Sequence, residues 1–230
     1  REALQMAPQQ RGLLELAWGS MEDASVSDEH LSQGRTGVFV GVINHNYSRL
    51  LLSDVGHIGP HTEQGRSARI ASNRISYVFN FKGPSLTVDT ACSSSLVAAD
   101  AACRSLHSMD CDVAFAGGVN AILLPQSFLE FSPAGMLSVS ESCRALNACA
   151  DGFVRAEGGG FVLNQTPLRC ASCSSRIQPV IASASVNQDG RNGGIMSTNS
   201  ESQVSMMHQA AERAEIDPSM IGYVEGPGTG

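Results

Sequence analysis

The stretch from Ser85 to Leu124 constrains the fold more than any other part of the chain. SLTVDT (Ser85–Thr90) is rich in residues that favour a strand. A turn of small residues follows. Ser93 to about Ser108 then reads as a helix that is apolar on most sides: Leu96, Val97, Ala98, Ala99, Ala101, Ala102, Cys103 and Leu106. A helix apolar all round is expected inside a core. CDVAFAGGVNAILL (Cys111–Leu124) begins as a second buried strand, and its paired Gly117 and Gly118 predict close backbone approach. Strands this apolar have no exposed face, so helices are expected to cover the faces of their sheet.

The flanking segments extend this alternation. Pro8 to Ala24 reads as an amphipathic helix with Leu13, Leu14, Ala17, Trp18 and Met21 on one stripe, and Pro8 suits its first turn. TGVFVGV (Thr36–Val42) is a buried strand bounded by glycines. Asn44 to about Arg66 reads as a loop-rich stretch, and Ala68–Phe79 as helix. Gly159–Leu163 and Pro179–Val186 read as further strands, joined by the polar segment Asn164–Arg176. A last helix spans about Glu201–Ala214, with Ser200 as its cap and Gln203 completing a capping box. Pro218 stops it, and Ile221–Glu225 reads as a final strand before GPGTG. The expected class is α/β, with helices covering sheet faces.

Bulk properties exclude several functions. A net charge of -7 with no Lys/Arg run argues against a nucleic-acid partner. No apolar run reaches about 18 residues, so no membrane span is expected. The opening REALQMAPQQ does not read as a signal peptide, and with no initiator Met the chain is expected to be a piece of something longer. Seven cysteines at irregular spacing point to a reduced, cytoplasmic setting. Cys170 and Cys173 form a CxxC, but no second pair lies at zinc spacing, and Gly59-Pro60 breaks any helix aligning His57 with His61. No metal site is expected.

Cys92 stands apart from the other cysteines. It lies between a buried strand and a buried helix, flanked by Ala91 and Ser93–Ser95. At the start of a helix the free N–H groups and the positive dipole end favour an anion. Such positions are among those that lower a thiol's pKa and favour the nucleophilic thiolate. The same N–H groups suit a developing oxyanion. The alternative, a small buried hydrophobe, fits the other six. The strand–turn–helix context favours covalent catalysis for Cys92.

VDTACSSSLVA resembles the active-site motif of ketosynthases from modular and iterative polyketide synthases. MAPQQRGLLELAW is similar to an early helix of that family, and NRISYVFNFKGPSLTVDTACSSSLVA is close to its consensus. AGGVNAIL, FSPAGMLS, ADGFVRAEGGGFVL and SVNQDGRNGG follow in the family's order. The resemblance covers essentially residues 1–230 and implies one partial ketosynthase domain, its central portion. The implied fold is thiolase-like, a layered αβαβα arrangement, incomplete here because it lacks the family's opening strand and much of the C-terminal half. The implied reaction is acyl transfer to Cys92, followed by decarboxylative condensation with a malonyl-type extender. Substrates would ride on the phosphopantetheine of an acyl carrier protein, and no cofactor would be bound directly. A homodimer and neighbouring synthase domains are the implied partners.

VEGPGTG is similar to a segment usually written VEAHGTG. Thr229 then matches a threonine that contacts the pantetheine arm, and Pro227 stands where the family has a catalytic histidine. Proline can neither donate a hydrogen bond from a ring nitrogen nor exchange a proton. The resemblance therefore leaves two outcomes open: a condensing enzyme, or a non-elongating acyl relay. Asp151, Arg155 and Glu157, in a segment the family places beside its active site, are expected to form internal polar pairs. The six histidines present are assigned no catalytic role.

Overall fold

A computed structural model describes residues 1–166, 179–194 and 197–226. The chain opens with α1 (Glu2–Gln5), α2 (Pro8–Asp23) and α3 (Asp28–Gln33), then β1 (Thr36–Gly41). Three short helical pieces follow: α4 (Asn46–Leu52), a 3-10 turn (Val55–His57) and α5 (Thr62–Arg66). Next come α6 (Ile70–Val78), β2 (Ser85–Val88), α7 (Ser94–His107) and β3 (Val113–Asn120). The order ends with α8 (Gln126–Phe131), β4 (Gly158–Gln165), α9 (Ser200–Arg213) and a 3-10 turn at Pro218–Met220.

The four strands form one sheet in the order β2-β1-β3-β4. β1 runs parallel to both β2 and β3, and β4 is antiparallel to β3. The alternation of strands and helices thus yields the expected α/β class. Gly117 and Gly118 do meet neighbouring backbone. A Cβ would lie 2.0 Å from the Gly160 carbonyl at the former and 3.0 Å from the Gly41 carbonyl at the latter.

Helices cover both faces of the sheet. On one, Leu13, Ala17 and Met21 of α2 and Ala71 and Ile75 of α6 pack on Val38, Val40, Val113 and Phe115. On the other, Ala98, Ala102 and Leu106 of α7 pack on Phe39, Ala114 and Ala116. Aromatic rings run through the first core. Phe115 stacks on Phe81 at 5.4 Å between centroids and meets Phe161 edge-on at 5.9 Å. Arg74 is almost fully buried between α2 and α6. It donates to Gln10 Oε1 at 2.7 Å and to Glu2 at 2.5 Å, so its charge is paired on burial.

Several expectations need correction. Trp18 leaves the buried stripe of α2: it is half-exposed and lies over Phe79. The loop-rich 44–66 stretch also carries short helices that the sequence reading did not resolve. They lack a sustained apolar period and are held by side chains instead: Tyr47 Oη donates to the Leu4 carbonyl and Arg66 donates to Ser48. One face of α7 is uncovered, with Leu96 75% exposed, because among the described residues only one sheet packs on the helix. α9 is capped by Asn199, whose side chain accepts from the N–H groups of Glu201 and Ser202; Ser200 is already its first helical residue. Residues 179–186 and 221–225 form no strand, since neither has a ladder partner among the described residues. The first of these lies along α9, with Ser183 donating to the Ala210 carbonyl and Arg213 to that of Ala184.

Phe115 is fully enclosed, so Phe115→Ala should destabilise the fold by about 3–5 kcal/mol, the usual cost of such a cavity. Chemical denaturation of the parent domain with and without the substitution measures this.

Candidate active site

The site lies at the carboxyl ends of β1, β2 and β3, where open α/β sheets commonly bind ligands. β2 ends at Val88, and the chain then turns sharply through Asp89, Thr90 and Ala91. Ala91 has a φ of 53°, in the left-handed region. A residue with a Cβ pays about 1–2 kcal/mol there, so the turn must be held by its surroundings. Three side chains hold it. Asp89 Oδ1 accepts from the Ala91 N–H at 3.2 Å. Buried Ser94 accepts from the Thr90 N–H at 2.9 Å and donates to the Ala91 carbonyl at 2.7 Å. Ser93 Oγ lies 2.8 Å from the Thr90 carbonyl.

Cys92 follows this elbow. It is exposed and sits two residues ahead of the first helical residue of α7. α7 approaches the strand ends closely because Gly41 has no side chain. A Cβ at Gly41 would lie 2.7 Å from the Ser95 nitrogen and 2.8 Å from the Ser94 carbonyl carbon, both backbone atoms. A Cβ at Gly118, beside it in β3, would come within 3.2 Å of the Ser95 Cβ. The loop after β1 forms one wall. Asn44 Nδ2 donates to the Ala121 carbonyl at 2.6 Å, and His45 Nε2 stands 3.8 Å from Asp89 Oδ2.

The expectation that the other cysteines are buried holds only in part among those described: Cys143 and Cys149 lie in exposed loop, so exposure alone does not set Cys92 apart, whereas its elbow does. Cys111 is buried, and burial pushes its thiol up, although its bond to the Ser105 hydroxyl opposes the shift. Cys103 is also raised, chiefly by burial and then by the Asp100 charge. Cys143 accepts from the Val154 N–H at 3.1 Å. Cys170, Cys173, Pro227 and Thr229 lie outside the described residues. Among those described, no group of three or more His, Cys, Asp and Glu is placed to hold a metal ion. No described helix is long and apolar enough to cross a membrane.

Asp151 and Glu157 form internal polar contacts, and Arg155 packs over aromatic rings. Asp151 accepts from the Ser138 and Ser140 hydroxyls at 2.6 and 3.0 Å and from the Ser140 N–H at 3.0 Å. Glu157 accepts from the Ile122 N–H at 2.5 Å. The Arg155 guanidinium lies over the rings of Phe131 and Phe128, at 4.9 and 5.8 Å. Their partners are brought by tertiary structure. Sequence reading also missed Asp89, Ser94 and Gly41 as supports of the elbow. An Asp at the head of the turn, whose side chain commonly accepts from the backbone two residues on, was the available signal.

Known proteins share both the sequence and the fold. Residues 1–167 match the family model described as the beta-ketoacyl synthase N-terminal domain, and residues 179–230 match its C-terminal domain. A polypeptide of the phenolphthiocerol/phthiocerol polyketide synthase of Mycobacterium tuberculosis is 42% identical over 229 residues. A probable polyketide synthase of Dictyostelium discoideum is 41% identical over 234 residues. Each match takes in 100% of this chain, but only 12% and 7% of those relatives. Among solved structures, the oxazolomycin ketosynthase domain of Streptomyces albus superposes with a TM-score of 0.95 at 38% identity, over 100% of this chain and 39% of that one. A ketosynthase from module 6 of the Bacillus subtilis bacillaene synthase gives 0.89 at 34%, over 97% of this chain and 38% of that one. The α/β sheet and its helices thus match a thiolase-like ketosynthase fold, and the chain spans 39% and 38% of those two solved chains.

Two predictions arise here. Gly41→Ala should displace the start of α7 and slow alkylation of Cys92 by iodoacetamide at least about tenfold in the parent domain, because both clashes are with backbone; peptide mass mapping reads the rate. The Asp151 carboxyl is held below the ordinary carboxylate range, first by the Ser138 hydroxyl and then by Ser140, against the opposing effect of burial. Its contribution is full above the unfolded carboxyl pKa and is lost as pH falls through the lowered folded value. Hydrogen-exchange protection of the Ser140 N–H should therefore hold from neutral to mildly acidic pH and drop only below the usual carboxyl range, with no such step in Asp151→Asn. With this match over most of its length, the chain belongs to the beta-ketoacyl synthase family.

Proposed function

We propose that this chain is the central portion of a condensing ketosynthase domain of a polyketide synthase and that Cys92 is its acyl acceptor. The observation that carries this is the elbow: an exposed cysteine presented from a braced left-handed turn, at the start of a helix, over the carboxyl ends of three parallel strands. In this reading the Cys92 thiolate attacks the carbonyl of an acyl thioester. A carbon–sulfur bond forms to Cys92, and the phosphopantetheine thiolate of an acyl carrier protein leaves and is protonated. The backbone N–H groups at the start of α7 face the oxyanion. A malonyl-type extender on a carrier protein then loses carbon dioxide. Its carbanion attacks the Cys92 thioester, which frees the thiolate and yields a β-ketoacyl carrier protein. Thr229 is assigned to the pantetheine arm. No cofactor is bound directly.

The partners in this reading are an acyl carrier protein, the other domains of a synthase chain and a second copy of the domain. Support for the second copy comes from β2, an edge strand with no outer partner among the described residues, with Leu86 and Tyr77 exposed beside it. A reduced cytoplasmic setting agrees with the five described cysteines, all free. The relay reading is favoured by one observation, Pro227 in place of an imidazole.

The test uses the complete parent domain with an acyl-pantetheine thioester, then malonyl carrier protein, followed by intact mass. Acylation confined to Cys92, abolished in Cys92→Ala and turned over to a β-ketoacyl product, is the expected result. A persistent adduct without product would instead establish the relay. Absence of any adduct would overturn the assignment of Cys92.

A further inference from the structure

We propose that Asp89 is the positioning residue of the elbow: by accepting the Ala91 N–H, its carboxylate keeps Ala91 left-handed and so presents Cys92. This rests on the reading of Cys92 as the acyl acceptor. Asp89 is well placed for the role. It directly follows Val88, whose carbonyl accepts from the Val42 N–H at 3.1 Å, so its backbone is anchored in the sheet. Its Oδ1 is the acceptor that the described residues give the Ala91 N–H, at 3.2 Å. The other supports act on different atoms. Ser94 takes the Thr90 N–H and the Ala91 carbonyl, and Ser93 reaches the Thr90 carbonyl. Those bonds fix where the turn begins and how it enters α7. The Asp89 bond constrains the peptide that leads into the strained residue itself.

The charge of Asp89 has a second neighbour, His45, with 3.8 Å between Oδ2 and Nε2. Both side chains are half-exposed. Ion pairs at that exposure contribute little. The acceptor atom, rather than the charge, therefore sets the role. Asparagine retains an acceptor at the same reach. Glutamate retains the charge but moves the acceptor by one methylene. Glycine at position 91 removes the strain that the bond offsets.

The test measures alkylation of Cys92 by iodoacetamide, together with kcat and KM for acyl transfer from an acyl-pantetheine thioester, in the complete parent domain. Asp89→Ala should slow alkylation about tenfold and lower kcat more than it changes KM, the scale of one lost hydrogen bond in a strained turn. Asp89→Asn should stay within about threefold of the parent, while Asp89→Glu falls below it. Adding Ala91→Gly to Asp89→Ala should restore most of the rate, which a general loss of stability would not allow. Parental alkylation in Asp89→Ala, no rescue by Ala91→Gly at an unchanged melting temperature, or Asp89→Glu outperforming Asp89→Asn would each overturn the proposal. The Asn–Glu ranking decides the matter even where Asp89→Ala does not fold. A parent domain that alkylates at Cys92 but never takes an acyl group would refute the acyl-acceptor reading, while the alkylation series still judges Asp89.

Discussion

The start of α7 rests directly on strand backbone. Gly41 faces the Ser94–Ser95 peptide and Gly118 faces the Gly41 carbonyl and Ser95, with no side chain between them. This contact fixes the height of α7 above the sheet. It places Ala98, Ala102 and Leu106 against Phe39, Ala114 and Ala116 and leaves the preceding residue pair, Ala91-Cys92, at the rim. Small residues in VDTACSSS therefore have two duties. They permit the close approach, and Ser93 and Ser94 supply the hydroxyls that satisfy the turn's backbone.

The regular elements were largely legible because each carries a sustained pattern. The apolar run TGVFVG became a fully buried strand between two others, and the Leu13, Ala17, Met21 spacing became the buried stripe of α2. Failures came where tertiary context decides. α4 and α5 are too short for a period to show, and they persist through contacts with α1. Residues 179–186 have strand-like composition but lie beside α9 without a ladder, and composition does not report whether a partner strand is present. The all-round apolar character of α7 was a correct reading of the sequence, yet only one of its faces meets a layer here.

At the site, sequence motif and geometry carry different information. VDTACSSSLVA pointed to Cys92 and to the family; 42% identity to a mycobacterial polyketide synthase and a TM-score of 0.95 to a solved ketosynthase then established the family. The motif did not show which of its polar residues brace the turn. That depends on the left-handed φ of Ala91, which no residue type at position 91 announces, since alanine adopts it only under constraint. Nor did it pair Asp151 with Ser138 and Ser140, a contact set by the chain's return between β3 and β4.

The row of aromatic rings has a spectroscopic consequence. Trp18 is the single tryptophan of the chain, and it lies over Phe79, which in turn stacks on Phe81 and so reaches Phe115. Its emission therefore reports on the α2–α6 face of the sheet. The Cys92 elbow and α7 lie on the other side, so a change confined to the elbow would leave tryptophan fluorescence silent while cysteine chemistry registers it.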